Sequence, residues 1–532
     1  MEQLKDLEQV DLLLLNTQFA TGLLVEPIGI CYLASYVRSG GFSVGIYDPA
    51  YFGGELKEHL ERLLRLRFKV LGISVLATEY RTHVFWLIRQ LREKGFDGHI
   101  CVGGQDVSLN YEYYLNEYPD ISSAAIGEGE ETLLELMLAL KNKSSLSEIK
   151  GLAYRNDSNE IIFNGKRALQ DNIDSLPFMA RDILKLQIEL LGSGATASLI
   201  TTRGCSHYCK FCSIMSYYSK QDGKHFRCRS VDNILEEMVS VNKEYGITKF
   251  SLDDDNFMLP KDAGIKRIEE FYEKVQKLSF RPQITISVRI DGINKRAIEL
   301  LKASGLYHMY IGVESFIDKD LELFGKGINC KQIKDALDLL FSLGFSTVPD
   351  SKLRMRIGTI IFNPYTTIEE LKVQLSFFRK YKIPPKKLCT ILIIYPHTMI
   401  YNQLHEEGLL NENYSFIFKD PRVQSVYSNY KIFLKEILYI RDRIRSLEKI
   451  YHIQGESIKE ALIELRTSMD IRCYDVFEEM LNRAEASEEL LTAYKEEAVN
   501  TFNIDFASED IIKRIEQTEK TINIAHIGSR LR

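Results

Sequence analysis

Apolar positions in the first hundred residues switch between two spacings. Short runs of strand length recur at 10–15, 43–47, 70–75 and 100–103, and segments of helical length lie between them at 27–39, 56–66 and 80–94. Strand, helix, strand at this rhythm predicts a doubly wound, Rossmann-like parallel sheet, whose ligands bind beyond the carboxyl ends of its strands. The segments at those ends read Asn16-Thr17-Gln18, Leu76-Ala77-Thr78, Gly103-Gly104-Gln105-Asp106 and Gly127-Glu128-Gly129-Glu130. Paired glycines there let backbone approach a ligand closely, and they serve tight turns equally well.

Residues 141–192 read as a linker with a short hairpin turning at Asn156-Asp157-Ser158-Asn159. The strand-helix rhythm then resumes, with apolar strands at 197–200, 247–252, 283–288, 308–313, 356–362 and 390–395 and helices at 231–244, 265–277 and 295–304. Six alternations predict a partial (β/α)6 barrel with its chemistry at the strand C-termini. Beyond 396 the spacing becomes helical, at 430–451, 458–467, 476–484 and 488–499, and predicts a helical cap. The tail, 523–532, is expected to be disordered. The layout is therefore α/β: a sheet domain over 1–140, a linker over 141–192, a barrel over 193–405 and a helical domain over 406–532.

A chain of 532 residues suits about three domains. With 45% hydrophobic and 27% charged residues it is an ordinary globular composition, and a net charge of −6 gives no general affinity for nucleic acid or an anionic membrane. The first residues carry Glu2 and Asp6 where a signal peptide would be basic, and no apolar run reaches the roughly 18 residues of a membrane span. A cytoplasmic location is expected. The nine cysteines are too few for a disulfide framework in so long a chain. Six of them, Cys31, Cys101, Cys228, Cys330, Cys389 and Cys473, are scattered and read as core or incidental.

The other three stand together as Cys205-x3-Cys209-x-Phe211-Cys212. Three thiolates suit three irons of a 4Fe-4S cube, and with no fourth cysteine nearby one iron stays open. A zinc site would show two ligand pairs and close at four. The run resembles the cluster loop of radical S-adenosylmethionine (SAM) enzymes. In that family the open iron chelates the amino and carboxylate groups of SAM, an electron from the cluster cleaves the sulfonium to a 5′-deoxyadenosyl radical, and the position of Phe211 packs near the adenine. Three later segments add to the resemblance. Asp253 and Asp254 match the segment that receives the SAM ammonium, Ser287 and Arg289 the one that reaches its carboxylate or ribose, and Glu314, in Gly312-Val313-Glu314-Ser315, the acceptor for ribose hydroxyls. On chemistry alone the aspartates also suit a solvated turn, Arg289 a structural ion pair and Glu314 a helix cap. Phe362-Asn363-Pro364-Tyr365-Thr366-Thr367 departs from the family's G-x-P-x-E-T.

The sheet domain, through Pro27-Ile28-Gly29-Ile30-Cys31-Tyr32-Leu33-Ala34 and the glycine loops, resembles the cobalamin-binding domain of class B radical SAM enzymes. That resemblance implies cobalamin contacts at Thr17, Ser74, Val75, Gly103, Gly104, Gly127, Glu128 and Gly129. The D-x-H-x-x-G motif of mutases is absent, which implies cobalamin held without a histidine ligand, or a domain that keeps its fold without cobalamin. A tRNA methylthiotransferase would need three N-terminal cysteines, where this chain has Cys31 and Cys101. The resemblance thus implies a cobalamin-dependent methyltransferase, in which one SAM methylates reduced cobalamin and a second yields the radical that activates an unactivated carbon of a small metabolite, in natural-product assembly. An external electron donor such as flavodoxin or ferredoxin is implied, with neither nucleic acid nor membrane as partner. Cyclisation, ring contraction or oxidation with the same cofactors is the alternative, and a non-catalytic cobalamin or iron-sulfur sensor a further one. No catalytic acid or base is identifiable.

Overall fold

The computed structural model of the chain describes residues 7, 9–19, 24–156, 158–258, 261–348, 351–411, 415–451, 456–487, 491, 493–494 and 496–501. The tail expected to be disordered, 523–532, lies outside them. The fold divides into two compact units, Met1–Tyr310 with Pro396–Thr398, and Ile311–Tyr395 with Met399–Arg532.

The first unit opens with the predicted parallel sheet. Its strands are β1 (Gln9–Asn16), β2 (Val44–Tyr47), β3 (Arg67–Ser74), β4 (His99–Gly103), β5 (Ser123–Ala125), β6 (Leu152–Arg155) and β7 (Ile161–Phe163), in spatial order β2-β1-β3-β4-β5-β6-β7. The helices are α1 (Ile28–Ser39), α2 (Pro49–Phe52), α3 (Leu56–Leu63), α4 (Arg81–Glu93), α5 (Gln105–Glu117) and α6 (Glu130–Asn142). Successive leucines of β1 point to opposite faces, as a period of two requires. Leu12 and Leu14 pack in a core with Ile30 and Val37 of α1. Leu13 and Leu15 pack in a second core with Val84 and Leu87 of α4. A sheet buried on both faces needs such unbroken apolar runs. The hairpin predicted inside 141–192 forms as β6 and β7, and it extends this sheet with two antiparallel strands.

After α7 (Asp182–Leu191) come β8 (Ala197–Leu199), β9 (Thr202–Arg203), α8 (Ser213–Tyr218), β10 (Arg227–Cys228), α9 (Val231–Tyr245), β11 (Lys249–Leu252), α10 (Lys261–Val275), β12 (Gln283–Arg289), α11 (Lys295–Ala303) and β13 (Leu306–Glu314). Strand β11 pairs in parallel with β8 and with β12. Ser230 and Asn294 cap α9 and α11, each accepting a backbone N–H of the first turn.

In the second unit follow α12 (Asp318–Leu323), α13 (Cys330–Ser342), β14 (Phe345–Ser346), β15 (Leu353–Thr359), α14 (Ile368–Tyr381), α15 (Met399–Glu406), α16 (Pro421–Tyr451) and α17 (Glu456–Ala486). Capping boxes, Asn329 with Gln332 and Thr367 with Glu370, start α13 and α14. Two expectations change here. Residues 390–395 form no strand beyond a single bridge from Ile391 to Phe362, because the run is confined between the 3₁₀ turn Pro385–Cys389 and Pro396. The two-residue β14 was not anticipated. The helices expected at 458–467 and 476–484 are one, α17, since no Gly or Pro interrupts the chain between them.

Candidate functional site

The three cysteines sit on the loop between β9 and α8, all half-buried. Gly204 enters that loop at φ +82°, and a Cβ there would lie 1.8 Å from the carbonyl oxygen of His225. Only glycine fits. The Cys212 N–H donates to the Cys209 carbonyl at 3.1 Å, folding the last two cysteines into a turn. Burial pushes the Cys205 thiol up and the Cys212 thiol up to about 12. Metal binding at these thiols therefore has to release protons. Among the described residues no three His, Cys, Asp or Glu side chains converge as a ready metal cage, so the ligand set is carried by the loop's spacing and not by a preformed one.

A cleft of about 350 Å3 opens in the first unit, within the size range of ligand pockets. On one side it is lined by Gly72, Ser74, Gly103, Gly104, Gly127 and Gly129, at the carboxyl ends of β3, β4 and β5; on the other by Ile214, Tyr217 and Tyr218 of α8 together with Asp253 and Asp255 after β11. A Cβ placed at Gly103 would meet only Ala125, at ordinary contact distance, so that backbone stays open. Among the described residues no histidine lines the cleft. His59 bonds the Tyr47 hydroxyl and His99 the Ser123 hydroxyl, each at 2.8 Å.

Charge at the rim is paired. Glu128, on the loop after β5, and Glu130, which opens α6, line the cleft, and Arg203, just ahead of the cluster loop, reaches Glu130 at 2.6 Å and Glu128 at 3.3 Å. Arg227 forks onto both Glu128 oxygens at 2.6 and 2.9 Å. Burial opposes ionisation of Glu128, yet Arg203 and Arg227 hold its carboxyl below the usual range. This salt-bridge network locks the glycine loop to β9, the strand that leads into the cysteine loop.

The aspartates of the loop after β11 divide by direction. Asp253 and Asp255 face the cleft, whereas Asp254 is buried and accepts the N–H and hydroxyl of Thr201, each at 2.6 Å, and the N–H of Thr202 at 2.7 Å. Asp254 therefore ties the loop to the segment entering the cysteines, and Asp255, not singled out from the sequence, stands where Asp254 was expected. Burial and the neighbouring Asp254 push the Asp255 carboxyl up to about 6. Ser287 contributes its carbonyl, which accepts the Phe257 N–H at 2.9 Å and anchors the same loop. Phe211 is half-buried on the cluster loop. Arg289 forks onto Asp291 at 2.9 Å through Nε and Nη2 and donates Nη1–H to Cys209 Sγ at 2.8 Å.

Two of the expected cobalamin residues lie behind the cleft wall. The Thr17 hydroxyl donates to the Ser74 carbonyl at 2.7 Å. Val75 is fully buried, its N–H on the Gly103 carbonyl and its carbonyl on the Asp106 N–H. In the second unit, Glu314 takes φ +71° and its carboxylate accepts from Lys326 Nζ at 3.1 Å.

Comparison with known families accounts for both sides of the cleft. A family model described as the radical SAM superfamily matches residues 199–372, and one described as the B12-binding domain matches residues 20–137. The chain is a cobalamin-binding radical SAM enzyme. An uncharacterized methyltransferase of Pyrococcus horikoshii is 28% identical to the enzyme over 387 residues, 72% of this chain and 79% of the relative. Cytidylyl-2-hydroxyethylphosphonate methyltransferase of Streptomyces wedmorensis is 23% identical over 447 residues, 72% of this chain and 82% of its own. In fold, the enzyme is similar to the solved cobalamin-dependent SAM radical enzyme OxsB with aqua-cobalamin and SAM bound, at a TM-score of 0.74 and 19% identity, over 97% of this chain and 84% of that one.

The radical SAM domain implies a 4Fe-4S cluster and SAM, and the B12-binding domain implies cobalamin. The enzyme's residues fit them: three cysteines on one loop, two carboxylates facing the cleft for an ammonium, and opposite them the open backbone of Gly103 with no imidazole beside it among the described residues. Sequence reasoning missed Asp255, Tyr217 and Arg203. The first was legible in the alternation of extended chain, which sends 253 and 255 to one side and 254 to the other. Among the described residues no helix is long and apolar enough to cross a membrane.

Proposed function

We propose that the enzyme transfers a methyl group to an unactivated carbon of a small metabolite, in natural-product assembly, with electrons from a donor such as flavodoxin or ferredoxin. The observation that carries this reading is the single cleft, lined on one side by the glycine loops of the B12-binding domain and on the other by Asp253 and Asp255 beyond the cluster loop. Methyltransferases among the relatives support it. When bound, the cofactors supply the hard chemistry, cobalamin the methyl group and cluster-bound SAM the radical.

The chain's residues then have assignable tasks. Cys205, Cys209 and Cys212 hold three irons. Asp253 and Asp255 would accept from the SAM ammonium. Gly103 would present open backbone to the corrin, with Gly104, Gly127 and Gly129 lining the same wall. Ile214, Tyr217 and Tyr218 cover the opposite wall and keep water from a reactive intermediate. Glu128, Arg203 and Arg227 keep the two walls in register.

Purification with hydroxocobalamin tests the reading first. A stoichiometric cobalamin chromophore is expected, together with 5′-deoxyadenosine formation that fails in each of Cys205→Ala, Cys209→Ala and Cys212→Ala. A protein that cleaves SAM yet retains no cobalamin, oxidised or reduced, would remove methyl transfer from the mechanism.

A further inference from the structure

Beside the cysteines lies a chain of side chains that the tasks above leave unused. Arg289 ends β12, and Asp291 follows on the 3₁₀ turn Ile290–Gly292, closed by the Ile293 N–H on the Ile290 carbonyl. That turn fixes the two side chains against each other. Both oxygens of Asp291 are engaged by Nε and Nη2 of Arg289, so the planar guanidinium has one orientation, and in it Nη1 points at Cys209 Sγ, 2.8 Å away. The Arg289 side chain is only 8% exposed, which favours this buried orientation. On the other flank, His207 Nε2 lies 3.6 Å from Asp291 Oδ2 and its Nδ1 lies 3.8 Å from Cys205 Sγ. That Nδ1 is nearer to Ser206 Oγ, at 3.3 Å, so the one sulfur contact that the carboxylate fixes is that of Arg289 on Cys209.

We propose that Asp291 is a positioning residue that sets the reduction potential of the cluster by holding Arg289 on the Cys209 sulfur. The proposal rests on the three cysteines being the cluster ligands. A hydrogen bond to a ligand sulfur draws electron density from the cluster and favours its reduced, more negative form, which raises the potential. The fork geometry of guanidinium makes the arrangement rigid, and a lysine ammonium cannot accept two-point fixing of this kind. The guanidinium expected from the sequence to reach SAM is thus committed to the cluster side.

The test is an EPR-monitored redox titration of the cluster-reconstituted protein without SAM, on the unsubstituted chain, Asp291→Asn, Arg289→Lys and the double variant, each with iron determined. Both single variants are expected to hold full iron and to shift the midpoint to more negative potential. The double variant should shift no further than the larger single change, because Asp291 acts through Arg289. Asp291→Glu, which restores the carboxylate, should recover part of the shift. An unmoved potential in Asp291→Asn, fully additive shifts, or loss of iron from Asp291→Asn and Asp291→Glu alike would overturn the proposal. So would an Arg289→Lys variant that loses SAM affinity at unchanged potential. Iron in the unsubstituted protein separates the two readings: no cluster there refutes the ligand assignment, while full iron with an unmoved potential refutes only the role of Asp291.

Discussion

Three consecutive aspartates, chemically identical, have two different fates. Asp254 satisfies three buried donors, and its removal leaves each unpaired at about 1 to 3 kcal/mol. Asp254→Ala should therefore cost roughly 3 kcal/mol or more of stability, read as a lower denaturant midpoint. Asp253→Asn and Asp255→Asn should leave that midpoint nearly unchanged and weaken SAM binding in a calorimetric titration. The reverse pattern would return Asp254 to the cofactor side. At this scale the sequence was partly legible. Spacing alone pointed to the cysteine loop, and order after successive strands pointed to the acidic loop. Which aspartates face the cleft follows the alternation of the extended chain past β11, and whether Arg289 is spent on SAM or on a neighbour depends on Asp291, two residues on.

Elements were easiest to read where one rule governed them. The parallel strands of the first sheet are buried on both faces, and their apolar runs announced them. The 390–395 run looks the same in sequence, yet its strand would have had to start directly after a 3₁₀ turn and stop at a proline. Elements are also joined by charges that periodicity does not reveal. Glu26, fully buried, accepts from Arg181 Nη1 at 2.9 Å and from the Ser198 N–H at 2.7 Å, and Arg181 continues to Glu237 at 2.8 Å. Burial outweighs Arg181 and Ser198 and pushes the Glu26 carboxyl up to about 7, from 4.5. The folded state then binds that proton more tightly than the unfolded chain. Its contribution to stability is full below pH 4.5 and is lost as pH rises through about 7. Glu26→Gln mimics the protonated form. The melting temperature of the unsubstituted protein should accordingly fall relative to that variant between pH 4.5 and pH 7. A relative rise over the same interval would mean that the arginines, and not burial, dominate.

For the molecule as a whole, the order of a two-faced sheet, a second strand-helix series and helices at the end was readable from the change of hydrophobic period. The helical end was read less well, because a helix boundary needs a breaker and α17 contains none. The substrate is not encoded in any pattern of this kind, since the cleft's walls are shared by whatever reaction the cofactors run. The central claim is that cobalamin and SAM work here to move a methyl group. Trideuteromethyl-labelled SAM, given anaerobically with a reductant and candidate metabolite extracts to the cofactor-loaded enzyme and followed by mass spectrometry, tests it most directly. Deuterated methyl in a small-molecule product, with S-adenosylhomocysteine and 5′-deoxyadenosine formed together, is the predicted result. Formation of 5′-deoxyadenosine with a converted but unlabelled product and no S-adenosylhomocysteine would contradict it and identify a radical rearrangement or oxidation instead.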